Sequence, residues 1–284
     1  MKCAWKELLA VLPAWMRKEV DKSGEKSLRE LRLRINAPPE LVLPDERIFL
    51  ERSISQEDIH YIVNAASRYS PWSAASSAFG YLTVSGGHRM GLCGEAVVQQ
   101  GKITGIKQVS SLCIRVARDF PGIAEKAVNG AGSVLILGPP GWGKTTLLRD
   151  LIRQLATRER ICVVDERCEL FPAGLCTGIP VDVLAGCSKR DGIPMLLRTM
   201  GPSCIAVDEI TDPEDALALL QASNCGVRLL ATAHGHSVSD FQQRSIYRPL
   251  YLQQIFDTVL VLQKDQSYTV ERMTRWVPNG SAHY

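Results

Sequence analysis

Ser133-Val134-Leu135-Ile136-Leu137-Gly138-Pro139-Pro140-Gly141-Trp142-Gly143-Lys144-Thr145-Thr146-Leu147-Leu148-Arg149-Asp150 is the stretch whose reading decides the fold. Val134 to Leu137 is a short, fully apolar run, as a buried parallel strand requires. Gly138 followed by Gly143-Lys144-Thr145 fulfils the spacing G-x-x-x-x-G-K-[ST], in which backbone N–H groups curl around phosphates and the lysine reaches the outer ones. The expected nucleotide contacts are therefore Gly138, Pro139, Pro140, Gly141, Trp142, Gly143, Lys144, Thr145 and Thr146, with the Thr145 hydroxyl a ligand for Mg²⁺. A helix should follow directly. Leu147, Leu148, Leu151, Ile152, Leu155 and Ala156 form one apolar stripe, and the positive end of that helix would face the phosphates. Strand, loop and helix in this order predict an α/β P-loop domain that binds ATP.

With 284 residues there is room for two domains of ordinary size. A formal charge of +3 is too small to announce a nucleic-acid binder. The nine cysteines form no C-x-x-C pair, and Cys162 and Cys204 lie in apolar strand-like runs where cysteine behaves as a small hydrophobe, so reduced thiols in a cytosol are expected. The spacing of Cys168, Cys176 and Cys187 fits no common zinc finger. Near the N-terminus Trp5, Leu8, Leu9 and Leu12 share a helical face that should end near Pro13; Lys6 and Glu7 interrupt the apolar run, so an amphipathic helix and not a signal peptide is expected here. No apolar run reaches bilayer-spanning length, so membrane association is expected to be peripheral, through partners.

From Leu31 to Ile35 apolar and charged residues alternate with period two, which predicts a half-buried strand. Pro38-Pro39 breaks it, two short strands follow at Leu41–Leu43 and Ile48–Leu50, and Ser55 with Glu57-Asp58 opens a helix running towards Ser70 and ended by Pro71. Gly80 to Val98 reads as strand, Gly-Gly turn and strand, and Lys102 to Val116 continues the meander. A small α+β domain over 1–119 is thus expected. Asp119-Phe120-Pro121-Gly122 is the linker, and the P-loop ATPase domain covers 120–284. Within it, Ile161–Val164, Cys204–Val207, Val227–Thr232 and Phe256–Leu262 alternate with helical patterns, which predicts a mainly parallel sheet covered on both faces.

Polar residues at the C-terminal ends of such strands are where α/β sheets place their sites. Cys204–Val207 ends in Asp208-Glu209, the pattern of a Walker B strand: Asp208 would hold the metal and Glu209 would polarise the attacking water. The alternative for this pair is a helix N-terminal carboxylate pair. Asp165-Glu166 ends another strand, with Asp165 a second candidate metal-shell ligand and Glu166 a second candidate catalytic carboxylate, against the alternative of surface ion pairs. His234, in Thr232-Ala233-His234-Gly235-His236, is placed to sense a γ-phosphate; a turn histidine is the bland reading.

Gly138-Pro-Pro-Gly-x-Gly-Lys-Thr-Thr-Leu-Leu-Arg-Asp, Val164-Asp-Glu-Arg-x-Glu, Val207-Asp-Glu-Ile and Thr232-Ala-His-Gly, behind Glu30-Leu-Arg-Leu-Arg and Gly86-Gly-His-Arg-Met-Gly-Leu, closely resemble the stage III sporulation AA ATPase family over nearly the whole chain. That family resembles the RecA/AAA-type ATPases of type II and type IV secretion. The resemblance implies a homo-oligomeric ring of six subunits in the mother-cell cytoplasm, peripheral to the membrane proteins of a channel into the forespore. It places Asp165-Glu166 on the acidic box, Glu209 on the Walker B glutamate and His234 on the histidine box. It also implies that Arg115 and Arg118, at the end of the first domain's last strand, swing to the γ-phosphate when the domains close, a task suited to the fixed fork of a guanidinium. The bland reading of both is a solvated arginine. Trp142 departs from the family, which has a small or polar residue there.

An ATP hydrolase driving assembly or transport at a membrane complex is the expected function. Two alternatives use the same core: a DNA-stimulated motor, for which the chain lacks a basic stripe with interleaved aromatics, and a non-hydrolysing nucleotide-gated scaffold.

Overall fold

The structure, a computed structural model, describes residues 1–67, 80–128, 132–172 and 178–273. The expected helix stop at Pro71 and the thiol of Cys176 lie outside the described residues. Two compact units divide the chain, one over Met1–Asp119 and one starting at Phe120.

In the first unit, strands β1 (Glu30–Arg34), β2 (Glu40–Val42), β3 (Arg47–Phe49), β4 (Tyr81–Val84), β5 (His88–Gln99) and β6 (Lys102–Arg115) form an antiparallel sheet in the order β3-β2-β1-β6-β5-β4. The period-two pattern of β1 sends Leu31 and Leu33 into the core and leaves Arg32 and Arg34 on the other face. Leu31, Leu33, Met90, Leu112 and Ile114 pack with Leu8, Met16, Ile59 and Ile62 from the helices Trp5–Ala10, Ala14–Ser23 and Gln56–Ser67, and with Leu12 from the connection between the first two. The helix Ala14–Ser23 has no counterpart in the sequence reading, which stops at Pro13. The first helix already closes at Val11, and Pro13 opens the next: its φ of −57° suits a helix entry, and its carbonyl accepts from Met16 and Arg17 N–H. Between β4 and β5 the chain turns through Ser85–Gly87, where Gly86 has a φ of 82° and a Cβ would meet that of Ala4 at 2.1 Å, so only glycine fits.

The second unit contains β7 (Val134–Leu137), β8 (Ile161–Asp165), β9 (Val181–Ala185), β10 (Cys204–Ile210), β11 (Arg228–Ala233), β12 (Thr258–Leu262) and β13 (Tyr268–Arg272), in the order β13-β12-β7-β11-β10-β8-β9. All neighbours are parallel except β12 and β13. Successive residues of β7 fall on opposite faces: Val134 and Ile136 join a core with Leu147, Leu148, Leu151 and Ile152 of the helix Lys144–Leu155, while Leu135 and Leu137 join one with Leu219 of the helix Pro213–Asn224 and Phe241. Each fully buried leucine here contributes roughly 1.5–3 kcal/mol by the apolar area it removes from water. β9 and the helix Lys189–Thr199 escape the sequence reading. β9 is an edge strand with a largely exposed Val-Asp-Val-Leu-Ala sequence, and the helix carries Gly192 and Pro194 inside it. Because β7, β11, β10 and β8 are adjacent and parallel, their C-terminal ends gather the P-loop, His234, Asp208-Glu209 and Asp165-Glu166 at one edge of the sheet.

Candidate active site

The loop after β7 turns through Pro139 to Trp142, with Pro140 and Gly141 exposed, and delivers Gly143 as the cap of the helix Lys144–Leu155 in the left-handed region, φ 97°. Gly138 is fixed by close packing: a Cβ there would meet the Leu262 Cβ at 3.1 Å. Trp142 is partly buried against the core below the helix and stands edge-on to His236, ring centroids 6.4 Å apart. Thr146 is half-buried one residue beyond Thr145.

Lys144 is 7% exposed, and its ammonium donates to the Pro139 carbonyl at 3.1 Å and lies 3.1 Å from His234 Nδ1. Burial pulls its pKa down, and the charges of Glu209 and Asp208 oppose that shift. The other ring nitrogen, His234 Nε2, contacts Glu209 Oε1. An imidazole with its proton on Nε2 satisfies both neighbours, accepting from the lysine on Nδ1 and donating to the glutamate. Lys144, His234 and Glu209 thus form one hydrogen-bonded line joining the start of the helix Lys144–Leu155 to the ends of β11 and β10. Arg167 adds a second contact to Glu209, 3.5 Å from Oε2.

Beside that line, the Thr145 hydroxyl donates to Asp208 Oδ2 at 3.0 Å. Two hard oxygen donors side by side are the ligand type that Mg²⁺ takes, and Thr145 with Asp208 would hold it. Bound there, the ion would neutralise charge on phosphate oxygens. Asp165 is placed differently from the expected metal ligand. It is 1% exposed, and its two oxygens accept from the N–H groups of Glu169, Leu170 and Phe171 at 2.8–3.0 Å. Its carboxylate ties the following loop instead of facing solvent, and burial raises its pKa although those N–H groups favour the charged form. Glu166 is engaged as well: Lys189, 4% exposed, donates to it at 2.6 Å and sits 3.3 Å from Asp215.

Arg115 is 66% exposed and lies 3.6 Å from Glu30. Arg118 is placed differently from Arg115. Its guanidinium donates to the Glu25 carbonyl at 2.9 and 2.7 Å and to that of Leu28, so its fork is spent on backbone acceptors inside the first unit.

A sequence profile described as "Sporulation stage III, protein AA" matches residues 4–272. The chain belongs to the sporulation stage III protein AA family. It is 37% identical to stage III sporulation protein AA of Bacillus subtilis (strain 168) over 280 residues, 91% of each chain. Over 37% of its length it is 33% identical to the type IV pilus assembly ATPase TfpB of Acinetobacter baylyi, covering 18% of that protein. Its fold matches the structure of the Legionella pneumophila ATPase DotB (TM-score 0.60, 17% identity, 92% of this chain and 80% of that one). It also matches the pilus retraction motor PilT with bound ADP (TM-score 0.61, 15% identity, 89% and 80%). This member of the sporulation stage III protein AA family therefore has the α/β fold of secretion and pilus ATPases. No helix among its described residues is long and apolar enough to cross a membrane.

Several residues of this site escape the sequence reading. Arg149, on the P-loop helix, donates to the carbonyls of Leu170 and Glu169 and so holds from one side the loop that Asp165 holds from the other. The Tyr247 hydroxyl accepts from His234 N–H at 3.3 Å and donates to the Ile210 carbonyl at 3.2 Å, fixing β11's end to β10's. Lys189 has a local signal only in hindsight, as a lysine just after the N-cap Ser188.

Proposed function

We propose that this chain is an ATP hydrolase that uses Mg²⁺ and works as a homo-oligomeric ring of six. The cycle powers assembly of, or transport through, a sporulation channel between mother cell and forespore. The observation that carries the reading is the line Lys144–His234–Glu209 with Thr145 and Asp208 beside it. It puts a phosphate-binding cation, a responsive imidazole and a carboxylate in hydrogen-bonded series. In that series Lys144 would hold phosphate oxygens, Glu209 would take the proton of the attacking water, and His234 would report phosphate from Lys144's side to Glu209. Arg115 is the arginine proposed to reach phosphate from the first domain (1–119) towards the second (120–284), because its side chain is exposed where Arg118's is tied down. Similarity to secretion and pilus ATPases supports the ring, and membership of the sporulation family supports a mother-cell cytoplasmic place at the membrane through partners.

Phosphate release by the purified protein with ATP and Mg²⁺, with its mass measured with and without ATP, tests the reading. Release together with a six-subunit mass is expected. ATP binding without release would leave the nucleotide-gated scaffold, and release that requires single-stranded DNA would indicate the DNA-stimulated motor.

A further inference from the structure

Thr232 lies inside β11 between Ala231 and Ala233 and is 0% exposed. A hydroxyl at such a place must be hydrogen-bonded or it destabilises the strand, and valine would match its shape and favour the strand at least as well. Both capacities of this hydroxyl are used, and both on the adjacent strand end. It donates to Asp208 Oδ1 at 2.7 Å and accepts from Glu209 N–H at 2.8 Å. The same N–H also reaches Asp208 Oδ1 at 3.0 Å, closing a small ring of three groups.

That ring sits where the backbone departs from a regular strand. The pairing of β10 with β11 shifts register between Val207 and Ile210, and Glu209 has a φ of 23°, outside the usual range for a residue with a side chain. The shift brings the side chains of Asp208 and Glu209 to different jobs: Asp208 Oδ2 to the Thr145 hydroxyl, Glu209 to His234 and Arg167.

We propose that Thr232 is a positioning residue for hydrolysis: its buried hydroxyl holds the Asp208 carboxylate and the Glu209 amide together, and so sets the direction of both side chains at the site. This rests on the hydrolysis reading above for its effect on turnover, while the geometry it explains is independent of nucleotide.

Thr232→Val removes the hydroxyl and keeps the shape; Thr232→Ser keeps the hydroxyl. Two quantities are read on the full chain: turnover of ATP with Mg²⁺, and amide hydrogen exchange of the peptide containing Glu209 in the protein without nucleotide. Thr232→Val should lower kcat about tenfold or more while the ADP dissociation constant changes by less than about twofold, because the hydroxyl acts on water and metal ligands and not on the phosphate loop. Exchange at Glu209 should accelerate about tenfold, and Thr232→Ser should restore both quantities. In a protein that hydrolyses ATP, either quantity unchanged in Thr232→Val overturns the assignment. Should the wild type bind ATP without turnover, the hydrolysis reading fails by itself and exchange alone decides for or against the hydroxyl's role. If valine at this position prevents folding, Thr232→Ala removes the hydroxyl without adding bulk and is read the same way.

Discussion

Replacing Lys189 by methionine keeps the length and apolar stem of the side chain and deletes a charge that is 4% exposed. The loss falls unequally on its two partners. Asp215, 7% exposed, loses an ammonium at 3.3 Å but keeps the N–H groups of Thr211 at 3.0 Å and Asp212 at 3.3 Å. Glu166 is 42% exposed and turns to water, so its share is largely screened. Removing one partner of a fully buried pair costs about 3–5 kcal/mol; with one partner wet and the other still accepting from two backbone donors, about 2–3 kcal/mol is expected. For a domain of this size that lowers the melting temperature by about 4–12 °C. Scanning calorimetry at neutral pH measures it. The double variant Lys189→Met with Asp215→Asn should recover part of the loss, because the amide removes the uncompensated charge while keeping an acceptor for the two N–H groups. A fall below about 2 °C, or a double variant whose loss is the sum of the two single ones, would refute the account of a buried pair.

Lys144→Ala should abolish turnover and weaken ATP binding at least about tenfold without unfolding the protein, since this ammonium faces the loop and not a core; unchanged turnover would sink its phosphate role. His88, 0% exposed, lies 2.9 Å from the Ala4 carbonyl through Nε2 and accepts from Ala117 N–H on Nδ1. Burial lowers its pKa, so below the unfolded value of about 6.5 the unfolded chain binds the proton more readily and stability falls with falling pH, whereas above it this contribution is complete. The urea midpoint of the first unit should therefore drop between pH 7 and pH 5, and less so in His88→Gln; equal slopes in the two proteins would count against it. Arg118→Ala should destabilise the first unit by about 1–3 kcal/mol through the carbonyls it leaves unpaired. Arg115→Ala should leave stability nearly unchanged and slow hydrolysis at least about tenfold, about 1.4 kcal/mol of barrier. Thermal melts and phosphate release separate the two arginines, and the reverse pattern would exchange their roles.

The parts of this molecule legible from sequence are those where the signal is local. The P-loop spacing, the apolar run of β7 and the stripe of the following helix lie within one stretch, and each strand that ends in a polar pair shows both features side by side. β9 and the helix Lys189–Thr199 were not legible, because an exposed edge strand has no apolar alternation and Gly192 with Pro194 hides a helix whose ends are set by tertiary packing and by the cap on Ser188. Arg118 illustrates the same limit in another form. It lies three residues beyond β6, where alternation no longer says which way a side chain leaves, and the carbonyls of Glu25 and Leu28 that capture it lie far away in sequence. Likewise Asp165 and Asp208 look equivalent as acidic strand ends. One is closed off by three N–H groups of its own loop, and the other meets hydroxyls from two neighbouring elements.

That difference extends to the glutamates beside them and decides which should activate water. Glu166 accepts from Lys189 at 2.6 Å, and Lys189 is itself held by Asp215, so moving Glu166 towards a substrate would break a pair whose lysine is buried. Glu209 has no such anchor in the core. Its partners are His234 and Arg167, side chains 30% and 56% exposed, and the imidazole also contacts Lys144. On the proposed hydrolysis, a phosphate that drew Lys144 away from His234 would free the imidazole to turn and would thereby release the Glu209 carboxylate to accept a proton from water. Glu209→Gln keeps the shape and an acceptor for Nε2–H but loses the base. It should retain ATP affinity within about threefold and lose turnover by about a hundredfold or more. Glu166→Gln, which keeps an acceptor for the lysine, should retain turnover within about threefold. Single-turnover phosphate release, with ATP affinity measured in parallel, distinguishes the two. An active Glu209→Gln beside an inactive Glu166→Gln would assign the proton acceptor to the end of β8 instead of β10.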